Sequence, residues 1–326
     1  MGDREAVLLS YPAKLVHADP ADAALTIERL ADSLPVDVVD LRDAVAPPDP
    51  DLVAAVRAAL VLDVPDWMIP SCPSLGLIQT ISTGIEWLDL APIRAAGVRL
   101  ANAAGTSAPE IAEFVVARLL EHWKQLPELA ALQRATRWEA CHGRSLVGAR
   151  VVLVGYGPIN AEVARRLLPF GVRLTVVRRS AEQPVPGADV VVPLDRLAEA
   201  VSDADAIVCA LPEAAGTIGL LDERVLSAAP RGVFVCNVGR GSAVVEPDLL
   251  SALADGHVGG AALDVVATEP LPVDDPIWTS RVRLSPHCST IPAPAFARVL
   301  DLFVDNVRSL LGAYDLRNEI GVRHLD

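Results

Sequence analysis

The chain has 326 residues, enough for two domains with buried cores, and 52% of them are apolar, which excludes a disordered chain. A formal net charge of −14 argues against nucleic acid or an anionic membrane as the main partner. No apolar run reaches transmembrane length, no leader is expected because Met1-Gly-Asp-Arg-Glu5 runs straight into a strand-like segment, and five scattered cysteines without a C-x-x-C pair fit a reducing cytoplasm.

Up to about residue 100, short apolar runs alternate with helical spacing. Ala6–Leu9, Val36–Leu41, Ala59–Leu62, Leu75–Ile78 and Val98–Ala101 read as strands, and Ala21–Leu34, Asp51–Ala58 and Glu86–Ala96 as helices. That alternation predicts a parallel sheet covered on both faces. Pro47-Pro-Asp-Pro50 marks a loop. Asp63–Pro70 follows a strand end and has two readings, a substrate loop with Trp67 shaping a pocket or a proline-rich connection with one packed tryptophan. Thr83-Gly84-Ile85 also follows a strand, and its glycine suits a close backbone approach or an ordinary turn.

Asn102 to Glu110 reads as a hinge feeding a helix, with Thr106 or Ser107 as cap and Pro109 in the first turn. Trp123 and Trp138 flank a further helical stretch that is long for a connection; it reads as a protruding dimer arm or as a surface helix pair. Val151–Val154 is then a buried strand, Gly155-Tyr-Gly157-Pro158-Ile159 a turn, and Ala161–Leu168 a helix. Strand, glycine turn and helix is the setting in which G-x-G signals a dinucleotide: the first glycine makes the turn, the second lets a pyrophosphate approach the backbone, and the helix N-terminus supplies amides. Pro158 removes one of those amides, and Asn160 stands where a third glycine normally allows close helix–strand packing.

The next strand, Val172–Val177, ends in Arg178-Arg179-Ser180. In a dinucleotide fold the residue at this offset faces the adenosine ribose; an acid there selects NAD, whereas arginine pairs with a 2′-phosphate and selects NADP, the other reading being a solvated basic strand end. Further strands are expected at Ala188–Val192, Ala206–Ala210, Gly232–Cys236 and Gly259–Leu263, with helices at 194–201, 222–229 and 246–254. Cys209 and Cys236 fall inside such runs as small core residues. Leu211-Pro212 and Asn237-Val-Gly-Arg240-Gly241 break the chain at strand ends, where a coenzyme would lie.

Three residues at such ends combine into a chemistry. The guanidinium of Arg240 can grip a carboxylate and polarise an adjacent carbonyl. His287, in Ser285-Pro-His287-Cys288, can give a proton to the oxygen as hydride reaches the carbon. Glu269, in Glu269-Pro-Leu-Pro272, would fix the ring and favour its charged form; Cys288 is read as a bystander. No metal is called for.

In the order and content of these motifs the chain resembles the D-isomer-specific 2-hydroxyacid dehydrogenases, a family that includes glyoxylate and hydroxypyruvate reductases and phosphoglycerate dehydrogenases. The most specific stretch runs through Asn237-Val-Gly-Arg-Gly241, Ala262-Leu-Asp-Val265, Glu269-Pro-Leu-Pro272 and Ser285-Pro-His287. The resemblance implies an α/β fold of two Rossmann-like or flavodoxin-like parallel-sheet domains with a cleft between them. Residues 1–102 plus 289–326 would form the substrate domain and 103–288 the NAD(P)-binding domain, closing by hinges near Asn102 and Ser289. It implies Arg240 as the substrate-orienting residue, Glu269 as partner of the imidazole and His287 as acid/base. Asp264 would bond near the nicotinamide carboxamide, Thr106 would sit at the nicotinamide end, Leu211 and Pro212 would line the adenosine side, and Val238 would lie along the coenzyme. Pro158 and Ile159 belong to the coenzyme loop. Backbone amides at Val64, Gly84 and Ile85 would bind the substrate carboxylate. The expected activity is hydride transfer between NADP(H), rather than NAD(H), and a 2-oxo acid/D-2-hydroxy acid pair, in a cytoplasmic homodimer formed through residues 111–140 and lacking room for the regulatory tail of long phosphoglycerate dehydrogenases. Two alternatives stay open: a non-catalytic dinucleotide sensor of corepressor type on the same scaffold, and a phosphite-type dehydrogenase.

Overall fold

The structure, a computed structural model, describes residues 5–16, 20–44 and 48–321. Pro47 of the expected proline-rich loop lies outside the described residues. The chain divides into two compact units, one of residues 1–106 with 291–326 and one of residues 107–290.

In the first unit the strands are β1 (Ala6–Ser10), β2 (Asp37–Asp40), β3 (Val56–Val61), β4 (Leu77–Thr80) and β5 (Arg99–Ala101). They pair in parallel in the order β5-β4-β3-β1-β2, with the two-residue strand Glu319–Ile320 added antiparallel beyond β5. Reversed, that order is the flavodoxin-like 2-1-3-4-5. The helices are α1 (Pro20–Ser33), α2 (Pro50–Val53), α3 (Met68–Ser71), α4 (Leu90–Ala96) and the long C-terminal helix Pro292–Leu311. Phe296, Val299, Phe303 and Val307 recur at helical spacing along that last helix and pack on Leu9, Leu60 and Leu77. Asn306, fully buried on it, donates to Gln79 of β4 at 2.8 Å and accepts from the Arg317 amide at 2.8 Å, which ties the returning chain to the sheet.

Three local expectations change. The helix expected over Asp51–Ala58 stops at Val53, because Val56 onward is β3, a central strand flanked by β1 and β4. An alanine-rich apolar run reads as either state until its neighbours bury both faces. The helix expected from Glu86 begins at Leu90, where the Asp89 carboxylate accepts the Ala91 amide at 2.9 Å, and it ends at Gly97 with φ +68°. Within Asp63–Pro70 the chain already turns into α3.

In the second unit the strands are β6 (Arg150–Val154), β7 (Arg173–Arg178), β8 (Val190–Pro193), β9 (Ala206–Cys209), β10 (Val233–Asn237), β11 (Val258–Leu263) and β12 (Val282–Leu284). All are parallel, in the order β12-β11-β10-β9-β6-β7-β8. Counted within the unit this is 3-2-1-4-5-6 with one strand added, the Rossmann order, and its reversal falls between β6 and β9. The covering helices are α5 (Ala108–Trp123), α6 (Leu126–Arg134), α7 (Pro158–Leu167), α8 (Leu197–Ala200), α9 (Glu223–Ala228) and α10 (Glu246–Ala254). On one face Ala112, Val115 and Leu119 of α5 and Val163 and Leu167 of α7 pack over Val151 and Leu153; α9 and α10 cover the other face. The expected class, two parallel-sheet α/β units, is the one observed. Among the described residues no helix is long and apolar enough to cross a membrane.

Candidate active site

Ligands of such sheets sit beyond the carboxyl ends of the strands at the reversal of order. Every residue read as chemical in the second unit lies at one of those ends. At the end of β6, Gly155 has φ +83°, its amide donates to Val177 at 2.8 Å, and an added Cβ would lie 2.7 Å from Leu211. Both facts call for glycine. Gly157 differs: its φ is −99° and an added Cβ would meet no atom within 4 Å. Neither the backbone nor the surrounding fold requires glycine there. Pro158 opens α7 in a turn whose amides have no intrahelical partner, so its missing N–H breaks no helical bond.

At the end of β7, Arg178 is half-buried and donates to the Gln183 carbonyl at 2.7 Å, while its Nε has no partner among the described residues. Arg179 and Ser180 are exposed. After β9, Leu211 is buried and Pro212 exposed. The loop is clipped by Thr217, whose hydroxyl bonds the Pro212 carbonyl at 2.7 Å and accepts the Ala214 amide at 2.9 Å. Sequence reasoning missed Thr217, because a threonine in a loop carries no signal until its partners are known. The thiols of Cys209 and Cys236 are pushed up to about 12 by burial, which makes them unreactive core groups.

After β10, Asn237 shapes the arginine turn. Its Nδ2 donates to the Arg240 carbonyl at 2.9 Å and its Oδ1 accepts the Gly239 amide at 3.1 Å. A strand-end asparagine before glycine is a local turn signal that could have marked it. Val238 is buried, its amide donating to Cys209 at 3.0 Å. An added Cβ on Gly239 would press on the Leu211 backbone at 2.5 Å, and one on Gly241 would overlap the Val266 carbonyl. The half-buried Arg240 therefore rides on a turn wedged between two other strand-end loops.

Asp264, after β11, is 2% exposed. Its Oδ1 accepts the Ser285 hydroxyl at 2.7 Å and the Cys288 amide at 3.0 Å, and its Oδ2 accepts the Ser289 amide at 3.1 Å. Its carbonyl accepts the His287 amide at 2.8 Å. One carboxylate thus pins the loop on both sides of His287, whose φ is +49°, in the left-handed region. His287 Nδ1 lies 2.8 Å from Glu269 Oε2, and Glu269 Oε1 accepts the Val266 amide at 3.2 Å. A carboxylate only accepts, so Nδ1 carries the proton and Nε2 is the ring atom left for proton transfer. The two side chains are 55% and 38% exposed, which keeps the pair reachable by a small substrate.

The residues read as substrate- or nicotinamide-facing at 64, 84, 85 and 106 belong to the first unit. Val64 is half-buried and its amide donates to the Asp63 carboxylate at 2.8 Å, so using that amide on a substrate requires Asp63 to let go. Gly84 is buried and Ile85 half-buried, and neither amide donates to another described residue. The Thr106 hydroxyl donates to the Ala103 carbonyl at 2.8 Å.

A family model described as the NAD binding domain of D-isomer specific 2-hydroxyacid dehydrogenases matches residues 116–289. The chain belongs to the D-isomer specific 2-hydroxyacid dehydrogenase family. It is 30% identical over 321 residues to a D-3-phosphoglycerate dehydrogenase of Mycobacterium tuberculosis, covering 96% of this chain and 60% of that protein, so it spans about three fifths of that relative. It is 30% identical over 189 residues to a glyoxylate/hydroxypyruvate reductase A of an Enterobacter species, covering 58% of this chain and 60% of that one. Among solved structures, a D-isomer specific 2-hydroxyacid dehydrogenase from Xanthobacter autotrophicus, in complex with NADPH and MES, superposes with a TM-score of 0.80 at 27% identity, over 98% of this chain and 99% of that one.

Proposed function

We propose that this protein transfers a hydride between NADP(H) and a 2-oxo acid/D-2-hydroxy acid pair. The observation that carries the reading is the 2.8 Å pairing of His287 Nδ1 with Glu269, on loops that also hold the Arg240 turn. A nicotinamide coenzyme would supply the hydride. The bare Gly157 and the open first turn of α7 fit its pyrophosphate. Arg240 orients the oxo acid through its carboxylate and polarises the carbonyl. His287 Nε2 gives that oxygen its proton, with Glu269 fixing the ring through Nδ1. In the first unit, the amides of Gly84 and Ile85 are the donors we assign to a substrate carboxylate. We accordingly assign residues 103–288 to the coenzyme and residues 1–102 with 289–326 to the substrate.

The test is reduction of glyoxylate, hydroxypyruvate and a wider panel of 2-oxo acids by NADPH. Tight dinucleotide binding with no turnover on any of them would favour the sensor alternative instead. The Xanthobacter relative was solved in complex with NADPH, and the arginine at the end of β7 supports the same coenzyme here. Neither Arg178 nor Arg179 forms an ion pair among the described residues, so both charges stand ready for a phosphate. Arg178→Asp is expected to raise the Kd for NADPH by about 10–100-fold, the worth of a charge-assisted bond, and to leave NADH binding unchanged or improved. Equal loss for both coenzymes would show that Arg178 does not read the 2′-phosphate.

We further propose a homodimer through residues 111–140. Leu126 (49%), Leu129 (39%) and Trp138 (103%) are exposed there, and Leu126 lines a groove with Phe114, Ala117 and Ala130 and the charged Arg118 and Glu121. Sedimentation equilibrium is expected to give twice the 34.4 kDa chain mass, and Leu126→Glu to shift it toward the monomer. A monomer at micromolar concentration in the unsubstituted protein would refute this. Five free cysteines, three of them buried, support a reducing cytoplasm as its compartment.

A further inference from the structure

We propose that Asn160 is a positioning residue for the coenzyme loop, holding by hydrogen bonds a turn that a glycine at this place would leave to packing alone. The proposal rests on the dinucleotide reading above. Asn160 is fully buried in the first turn of α7. Its Nδ2 donates to the Gly155 carbonyl at 2.7 Å and lies 3.2 Å from the Val154 carbonyl and 3.5 Å from that of Val208. Val154 ends β6 and Val208 lies in β9, the two strands that flank the reversal of sheet order. One amide therefore joins the first loop glycine, its parent strand and the neighbouring strand to the helix whose N-terminus would face the phosphates.

Three carbonyls around one nitrogen also fix which way the amide points, since the flipped form would set Oδ1 against them. Oδ1 itself is buried with no partner among the described residues. An orphaned acceptor is unfavourable, and a small apolar residue would fill the same place without one. Packing alone therefore does not account for an asparagine here. The grip on Gly155 does, because the amides of Tyr156 and Gly157, which donate to no other described residue, must be held in one fixed arrangement for a pyrophosphate to be recognised. Gly155 is already tied on its other side, its amide bonding Val177 at 2.8 Å. Without Asn160 the carbonyl side of that residue is released and the turn can rotate.

The experiment is titration of NADPH into the full chain and its Asn160→Ala and Asn160→Ser variants, with steady-state kinetics and hydrogen exchange alongside. Asn160→Ala is expected to raise the Kd for NADPH about tenfold, the worth of one lost hydrogen bond. The kcat at saturating coenzyme and the KM for the 2-oxo acid are expected to stay within about twofold of the unsubstituted values, because Asn160 touches no reacting group. Asn160→Ser keeps one donor and is expected to recover most of the affinity. Exchange at the amides of residues 155–157 and 159 is expected to quicken in the alanine variant and less in the serine variant. A purely structural role would lower the Tm of the alanine variant and leave the Kd of its folded form unchanged, and that result overturns the proposal. Should the alanine variant not fold, Asn160→Gly takes its place, and a folded glycine variant whose Kd for NADPH is unchanged while exchange at residues 155–157 and 159 quickens overturns it equally. Failure of the unsubstituted chain to bind either NADPH or NADH overturns the dinucleotide reading itself and is told apart by that control.

Discussion

Replacing His287 with alanine is expected to lower kcat for NADPH-dependent reduction of a 2-oxo acid by about 10²–10⁴-fold, the usual contribution of a positioned acid or base. NADPH affinity is expected to stay within about twofold, because the imidazole is held by the Glu269 carboxylate and by the Asp264 loop rather than by the coenzyme turn at Gly155. The variant should fold. His287 is exposed, and Asp264 keeps its bonds to Ser285, Cys288 and Ser289 whatever side chain stands at 287. A loss confined to kcat assigns the proton transfer to this ring. If the alanine variant reduces every oxo acid as fast as the unsubstituted protein, the acid/base assignment is wrong.

Gly241→Ala should be the most damaging single methyl group in the second unit. The added Cβ would overlap the Val266 carbonyl and come within 2.5 Å of the Ala267 amide nitrogen. Both are main-chain atoms, so no side chain can swing aside, and one loop must move off the other. Overpacking of this kind costs about 1–3 kcal/mol of stability. The kinetic effect should be larger than the stability loss implies. Arg240 precedes the glycine and Val266 donates to Glu269, so spreading the two loops displaces the guanidinium to which we assign substrate orientation from the Glu269–His287 pair. A displacement of about 1 Å can cost 10²-fold in rate. The measurement is kcat/KM and thermal melting on the same preparation. Unchanged kcat/KM in a folded variant would show that the close approach of these loops has no bearing on catalysis.

Much of this architecture is legible in the chain. Val151–Val154, Ala206–Cys209 and Val233–Cys236 are unbroken apolar runs, and each is a strand buried on both faces. Gly155 and Gly157 after the first of them mark the turn, and Arg178 marks the end of the next. Elsewhere the chain is ambiguous. Asp51–Ala58 carries valines at helical spacing, and only placement between β1 and β4 makes its second half a strand. The antiparallel pairing of Glu319–Ile320 with β5 has no local signal at all, because its partner lies more than 200 residues away. At the site, Asn160 and Pro158 look like defects in a glycine pattern. In the structure Pro158 sits where a helix needs no amide, and Asn160 donates to strand-end carbonyls.

The side chains to which we assign the chemistry and the positions of the turns are properties of neighbouring residues, so they are legible in the order of amino acids alone: a guanidinium between glycines, a carboxylate before one proline, an imidazole after another. How those groups are held is a different matter. The Glu269–His287 bond closes a gap of 18 residues, and the contacts by which Asp264 keeps His287 in a left-handed backbone close gaps of 21 to 25. Such bonds exist only because β10, β11 and β12 lie side by side in register, with their ends level. Side-chain chemistry is local and is written residue by residue, whereas alignment between strands comes from burying whole sheets, which no short stretch of chain can specify.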